Sequence, residues 1–60
     1  MTIAECRKQS GISVAYISDI LGVSVDKYTY YENNPQEIPI NVAIGISRIT
    51  GVSYDDIFFG

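Results

Sequence analysis

The chain has 60 residues, of which 47% are hydrophobic, and four basic against seven acidic side chains give a net charge of −3. This length suits one small domain, residues 1–60, and the composition excludes a disordered, charge-rich chain. The acidic balance argues against an undirected attraction to phosphate, because non-specific binding to nucleic acid depends on Lys and Arg.

The residue types needed for a metal site or a catalytic centre are missing. Cys6 is the single cysteine and there is no histidine, so neither a disulfide nor a set of zinc ligands is expected. The Asp55–Asp56 pair is better explained by compensation of a helix dipole than by acid–base chemistry. We therefore expect no enzyme activity and no cofactor.

The sequence predicts a soluble, cytoplasmic protein. No apolar run approaches the roughly 18 residues of a transmembrane helix, and "MTIAECRKQSG" lacks the basic-then-apolar order of a secretory signal. A lone cysteine fits a reducing compartment. No membrane partner is expected.

The first two predicted helices are short. The first covers residues 2–10, with Thr2 as its N-cap and Glu5 in position to complete a capping box. The second begins at Ser13, shows apolar residues at helical spacing, and ends at Gly22.

Three further helices are predicted in the rest of the chain. Ser24 is the expected N-cap of the third, "VDKYTYYENN", and the loop "NNPQEIP" follows it. The fourth spans about 40–50 and is stopped by Gly51. Ser53 is the expected cap of a short fifth helix in "YDDIFFG". The prediction is thus an all-α fold of five helices.

The span 14–31 has the pattern of a helix-turn-helix. Where two short helices cross at a steep angle, the crossing point needs a small side chain and the turn needs a residue without a Cβ penalty. Ser18 and Gly22 meet these needs, and Ile17 and Val23 supply apolar flanks.

The five tyrosines divide into two groups by position. Tyr28 and Tyr31 fall at core positions, and we expect them to be buried with their hydroxyls reaching the surface. Tyr16, Tyr30 and Tyr54 are predicted to be exposed.

Cys6 lies in an apolar stripe of the first predicted helix and is predicted to be a core residue.

Four stretches, "IAECRKQSGIS", "ISDILGVS", "YENN" and "RITGVSYDDIF", follow one another along nearly all of the chain. Together they resemble the lambda-repressor-like helix-turn-helix domains of Cro and the phage repressors. The resemblance implies a compact five-helix domain that binds a double-stranded DNA operator as a dimer. It also implies a transcriptional regulator, similar to repressors of phages or mobile elements, whose third helix (about 24–33) lies in the major groove.

The same resemblance implies an internal ion pair between Arg7 in the first helix and Glu32 at the end of the third. Arg7 is then not a DNA contact. Lys8, Lys27 and Arg48 are the cations that remain for a positive face.

Positions that face DNA are also implied by the resemblance. They are Ser13, Val14, Ser24, Val25, Asp26, Lys27, Thr29 and Tyr30.

The chemistry of these positions is unusual for a DNA reader. Val25 can touch a thymine methyl group, Asp26 can accept a hydrogen bond from cytosine N4, and Lys27 can pair with a phosphate. Tyr30 can hydrogen-bond to a base or a phosphate. Asp26 has an equally good explanation as a partner of the helix dipole. Arg, Gln and Asn, which read guanine and adenine with two hydrogen bonds, are missing from these positions.

A second interpretation is a helix-turn-helix scaffold used for protein–protein interaction, as an antirepressor or regulatory subunit with weak or no DNA binding. It is favoured by the acidic net charge and by Glu37, which stands after "YEN" where relatives commonly carry basic residues. A binding profile that depends little on salt would favour this interpretation.

The apolar C-terminus suggests a dimer surface. Phe58 and Phe59 cannot both pack inward on so short a helix, and with Val42 and Ile49 they are predicted to form a two-fold contact. The alternative is that Phe58 closes the core while Phe59 frays with the terminus.

Overall fold

The computed structural model describes residues 1–59, which contain four α-helices and two 3-10 turns. The helices are α1 (Ile3–Gln9), α2 (Val14–Leu21), α3 (Val25–Asn33) and α4 (Ile40–Thr50), and the 3-10 turns are Pro35–Glu37 and Tyr54–Asp56. The predicted all-α class is confirmed. None of these helices reaches the length and hydrophobicity of a bilayer-spanning segment.

Side-chain caps begin the first three helices, as predicted. The Thr2 hydroxyl accepts a hydrogen bond from the Glu5 N–H at 3.2 Å, and the Glu5 carboxylate accepts one from the Thr2 N–H at 2.7 Å. Hydrogen bonds from Thr2 hold the pKa of Glu5 below its usual value. Ser13 and Ser24 each accept from the backbone N–H three residues later, at 3.1 and 3.0 Å. Each such cap stabilises its helix by about 1 kcal/mol.

The turn between α2 and α3 depends on Gly22. Its φ of 74° and ψ of 27° lie in the left-handed region, where its N–H donates to Asp19 O at 3.1 Å. The next N–H, from Val23, donates to Ser18 O at 3.0 Å. These two bonds satisfy carbonyls at the end of α2 and reverse the chain within three residues. The tight turn predicted at this position is confirmed.

Small and apolar side chains fill the space where α2 packs against α3. Ser18 is 2% exposed, and its hydroxyl donates to Ala15 O at 3.0 Å, so it leaves no unsatisfied polar group at the crossing. Ile17 and Tyr28 are fully buried beside it. The hydrophobic core consists of Ile3, Cys6, Ile17, Tyr28, Tyr31, Val42, Ile46 and Ile57. Burial raises the pKa of the Cys6 thiol, in agreement with a core role.

An ion pair joins α1 to the end of α3. Arg7 Nε lies 2.7 Å from Glu32 Oε2, and the two side chains are only 13% and 14% exposed. A further Arg7 N–H donates to Ile12 O at 3.1 Å and so fixes the turn after α1. The hydrogen bond to Glu32 raises the pKa of Arg7. This contact therefore holds three segments of the chain together.

The hydroxyl of Tyr28 does not reach the surface, so that expectation is wrong. It is buried and has no hydrogen-bond partner among residues 1–59. Burial, and then the nearby Glu32 carboxylate, raise the pKa of Tyr28. The ring fills the centre of the core so fully that its polar end stays inside.

Helix α4 turns Val42 inward rather than toward a partner. Val42 is 6% exposed and lies four residues before Ile46, which is fully buried, so both share the core face of the helix. The expectation that Val42 belongs to a dimer surface is therefore wrong. Leu21 of α2 packs close to Gly45 of α4: a Cβ at residue 45 would lie 2.7 Å from Leu21 Cδ2, so a larger residue there would require the Leu21 side chain to move.

The predicted fifth α-helix is also wrong. Only a 3-10 turn, Tyr54–Asp56, follows Gly51, and Ser53 makes no side-chain cap. The reason is a contact distant in sequence: the Phe58 N–H donates to Met1 O at 2.6 Å, and Thr2 and Phe58 form an isolated parallel bridge. This pairing requires extended backbone and draws the chain out of a helix.

The alternative in which Phe58 closes the core and Phe59 frays with the terminus is wrong, because the two environments are reversed. Phe58 is 57% exposed, whereas Phe59 packs against the core, with its ring centroid 5.2 Å from that of Tyr54. In extended backbone successive side chains point to opposite sides. Because Ile57 points inward, Phe58 must point outward and Phe59 inward again.

Replacing Gly22 with alanine is expected to lower the free energy of unfolding by about 1 kcal/mol, because an L side chain is strained at this φ. A Cβ at residue 22 would meet no atom of residues 1–59 within 4 Å, so the cost comes from the backbone alone. Gly22→Asn is the matched control and should lose less, since Asn tolerates this conformation. Urea unfolding followed by circular dichroism measures both, and equal losses would contradict the explanation.

Candidate nucleic-acid interface

One face of α3 points away from the core. Tyr28 and Tyr31 are buried, so the residues between and before them face outward. Val25 is 48% and Tyr30 46% exposed. All the α3 positions expected to face DNA, together with the N-cap before them, are exposed: Ser24, Val25, Asp26, Lys27, Thr29 and Tyr30.

The start of α2 contributes less to this face than the sequence suggested. Ser13 is exposed and its hydroxyl caps the helix. Val14 is partly buried and packs against the core, which leaves only part of its side chain for a ligand. Tyr16, two residues after Val14 in α2, is 57% exposed.

A shallow, open depression lies on the outer face of α3. It encloses about 550 Å³. We call it the α3 depression, and its lining consists of Ser24, Asp26, Lys27, Tyr30, Tyr31 and Glu37. Glu37 comes from the 3-10 turn after α3, and sequence reasoning did not include it in the site. The sequence signal was an acid in the loop after "YEN", but only the course of the chain after α3 places it in the lining of this depression.

The ammonium of Lys27 lies against two tyrosine rings. Lys27 Nζ is 5.8 Å from the ring centroid of Tyr30 and 5.5 Å from that of Tyr31. The two rings meet edge to face, with centroids 6.4 Å apart and an angle of 63°. A cation over an aromatic ring at such distances gains about 0.5–1 kcal/mol when exposed. The rings therefore hold Lys27 close to α3.

The helix-turn-helix family model matches residues 3–57, which include both helices and the turn described above. The chain belongs to the helix-turn-helix family. Neither the curated proteins nor the solved structures include one with significant similarity to it. The resemblance to lambda-repressor-like domains is thus confirmed, although residues 1–59 contain four α-helices rather than five.

Charge is distributed unevenly over this helix-turn-helix domain. Arg7 and Glu32 neutralise each other, so three of the four basic and six of the seven acidic side chains lie outside that pair. Lys8 and Arg48 are exposed on α1 and α4, away from the lining of the α3 depression. That lining contains one basic side chain, Lys27, and two acidic ones, Asp26 and Glu37.

Backbone N–H groups add positive potential without formal charge. Helices α2 and α3 begin at exposed caps, Ser13 and Ser24, and the first N–H groups of a helix have no partner within the helix. The N-terminal ends of helices favour anions. These ends therefore favour anions locally, although the net charge of the chain is negative.

Proposed function

We propose that this helix-turn-helix protein is a sequence-specific transcriptional regulator, of the kind found as repressors in phages and mobile elements, that reads the major groove with α3. The family match supports DNA binding in general. Reading of the major groove by α3 is supported by the exposed outer face of this helix. Tyr28 and Tyr31 on the opposite face are buried in the core and fix its orientation.

The proposed base contacts come from the first turns of α3. Val25 contacts a thymine methyl group, and Asp26 accepts a hydrogen bond from cytosine N4. Tyr30 reaches a base edge or a phosphate, and Thr29 lies beside it on the same exposed face. Major-groove edges differ for each base pair, so these contacts would select a sequence.

The proposed phosphate contacts position the domain on the duplex. Lys27 leaves the tyrosine rings and pairs with a phosphate, and the N-terminal ends of α2 and α4, near Ser13 and Ile40, contribute backbone N–H groups. Ser13, Val14 and Ser24, at the starts of α2 and α3, are the other residues proposed to lie near the DNA backbone. With one cation on the face, the affinity depends on placement rather than on total charge.

The proposed dimer uses the exposed side chain at the C-terminal end. Phe58 is 57% exposed, and Met1, whose carbonyl it contacts, is 43% exposed. Ile49 and Phe59 are partly buried against the core and contribute only their edges. A two-fold pair would place two α3 helices about one DNA turn, roughly 34 Å, apart.

Catalysis has no part in this proposal, which needs neither a cofactor nor a metal. A cytoplasmic location follows from operator binding and from the lone, buried Cys6. A second candidate function, recognition of another protein by the same scaffold, is favoured by the two carboxylates, Asp26 and Glu37, in the lining of the α3 depression. Salt dependence separates the two candidates.

Selection of binders from a random duplex library should yield a defined site whose affinity falls steeply with salt. Lys27→Ala should flatten the slope of log K against log salt by about one unit, because one phosphate contact is lost. Lys8→Ala, which removes the same charge from α1 outside the helix-turn-helix unit, is the matched control and should leave the slope unchanged. A flat salt response of the wild-type protein would reject DNA binding in favour of a protein partner.

Asp26→Asn should change the base preferred at one position of each selected half-site from cytosine to adenine, because an amide pairs with the adenine N6 and N7 edge. The same selection, run with Asp19→Asn as an exposed acid on α2, gives the control. If the preferred base stays the same and only stability falls by a few tenths of a kcal/mol, Asp26 is a partner of the helix dipole.

Phe58→Ser should shift the protein from dimer toward monomer in sedimentation equilibrium, because the exposed ring is removed from the contact. Tyr16→Ser is the matched control, since Tyr16 is equally exposed at 57% but lies on α2. Selected sites for the wild-type protein should then be palindromic. A wild-type protein that sediments as a monomer both free and on DNA would refute the dimer.

A further inference from the structure

The α3 depression combines features that suit a cation better than a phosphate. Its lining holds two carboxylates, Asp26 and Glu37, two tyrosine rings and one ammonium. A phosphate entering it would meet both carboxylates. Lys27, the cation already present, lies against the two rings. Within residues 1–59 it forms no salt bridge with Asp26 or Glu37.

We propose that the α3 depression is also a binding site for an arginine side chain in a basic segment of a partner protein. The two rings already accept a positive charge, since Lys27 Nζ lies 5.5 and 5.8 Å from their centroids. A guanidinium stacks on aromatic faces and pairs with carboxylates through two parallel hydrogen bonds. The depression offers both kinds of contact, since Tyr30 is 46% exposed and Asp26 and Glu37 lie in the same lining; Tyr31, at 5% exposed, contributes only the part of its ring that Lys27 approaches.

Size and surroundings fit a side chain that arrives on a polypeptide. The depression has a volume of about 550 Å³ and is largely open to solvent, so a side chain can enter it while the polypeptide that carries it stays outside. Val25 and Tyr30 are about half exposed at α3 and offer apolar contact to residues that flank the arginine. A small free cation would leave these apolar surfaces unused.

Lys27 has opposite effects on the two ligands. Its ammonium supplies a phosphate contact for DNA, but it occupies the rings and repels a second cation in the α3 depression. Arginine binding therefore requires Lys27 to swing away, and a bound partner covers the face of α3 proposed to enter the major groove. Only this competition depends on the proposed DNA-binding function, because the arginine site can be measured without DNA.

The test is a titration of the protein with a capped peptide, Ala-Arg-Ala-Arg-Ala, at low salt and without DNA, followed by NMR shifts of the amides of α3 and of Glu37. The same peptide with citrulline in place of arginine has no charge and is the ligand control. Glu37→Gln should weaken arginine binding about fivefold, whereas Asp55→Asn, which removes an equal charge from the C-terminal 3-10 turn, should not. Lys27→Met should tighten it about fivefold.

Circular dichroism of each variant checks that the helices remain. Equal binding of the citrulline peptide, or of spermidine at the same charge concentration, would overturn the site. So would a Lys27→Met variant that binds the arginine peptide less tightly.

A parallel titration with the selected duplex separates this inference from the DNA proposal. Lys27→Met should weaken duplex binding while it tightens peptide binding. If the peptide binds as expected and no duplex does, the DNA proposal fails and the arginine site stands. If the duplex binds and the peptide does not, the reverse holds.

Discussion

The reversal of the chain at Gly22 is the constraint on which the rest of the molecule depends. A left-handed residue there ends α2, and α3 begins three residues later at Val25, so the two helices pack against each other beside the buried Ser18. In this packing Tyr28 of α3 is fully buried in the core. Once that ring is fixed, the 3.6-residue period of the helix leaves the other face of α3 outside. The candidate interface is therefore a direct consequence of one turn.

The Arg7–Glu32 pair shows how this small domain divides its few charges between structure and function. The pair is mostly buried and ties α1, the following turn and the end of α3 together. Because Arg7 is used in this pair, it does not contribute a positive charge to a DNA-binding surface. With three basic side chains left outside the pair, helix N-termini and the placement of Lys27 must supply any attraction to phosphate.

Two ligands of opposite charge can be considered for the same face because its elements differ in character. The N-terminal ends of α2 and α3 favour anions, whereas the aromatic rings and the carboxylates of the α3 depression favour cations. Lys27 lies in the first turn of α3 and also lines the depression. On a basic domain the total charge would hide such a local contrast. In this chain, with a net charge of −3, the position of the Lys27 side chain decides whether this face favours an anion or a cation.

The sequence by itself determined the features that depend on neighbours within about one helical turn. These are the caps at Thr2, Ser13 and Ser24, the turn at Gly22, and the spacing that buries one face of each helix. Only the tertiary structure decided the features that depend on residues far apart in sequence. Pairing of Phe58 with the first residues replaced a fifth helix with extended backbone, and that backbone sent Phe58 outward. The course of the chain after α3 likewise placed Glu37 and Lys27 in the lining of one depression, because the local sequence does not encode which distant residues the fold brings together.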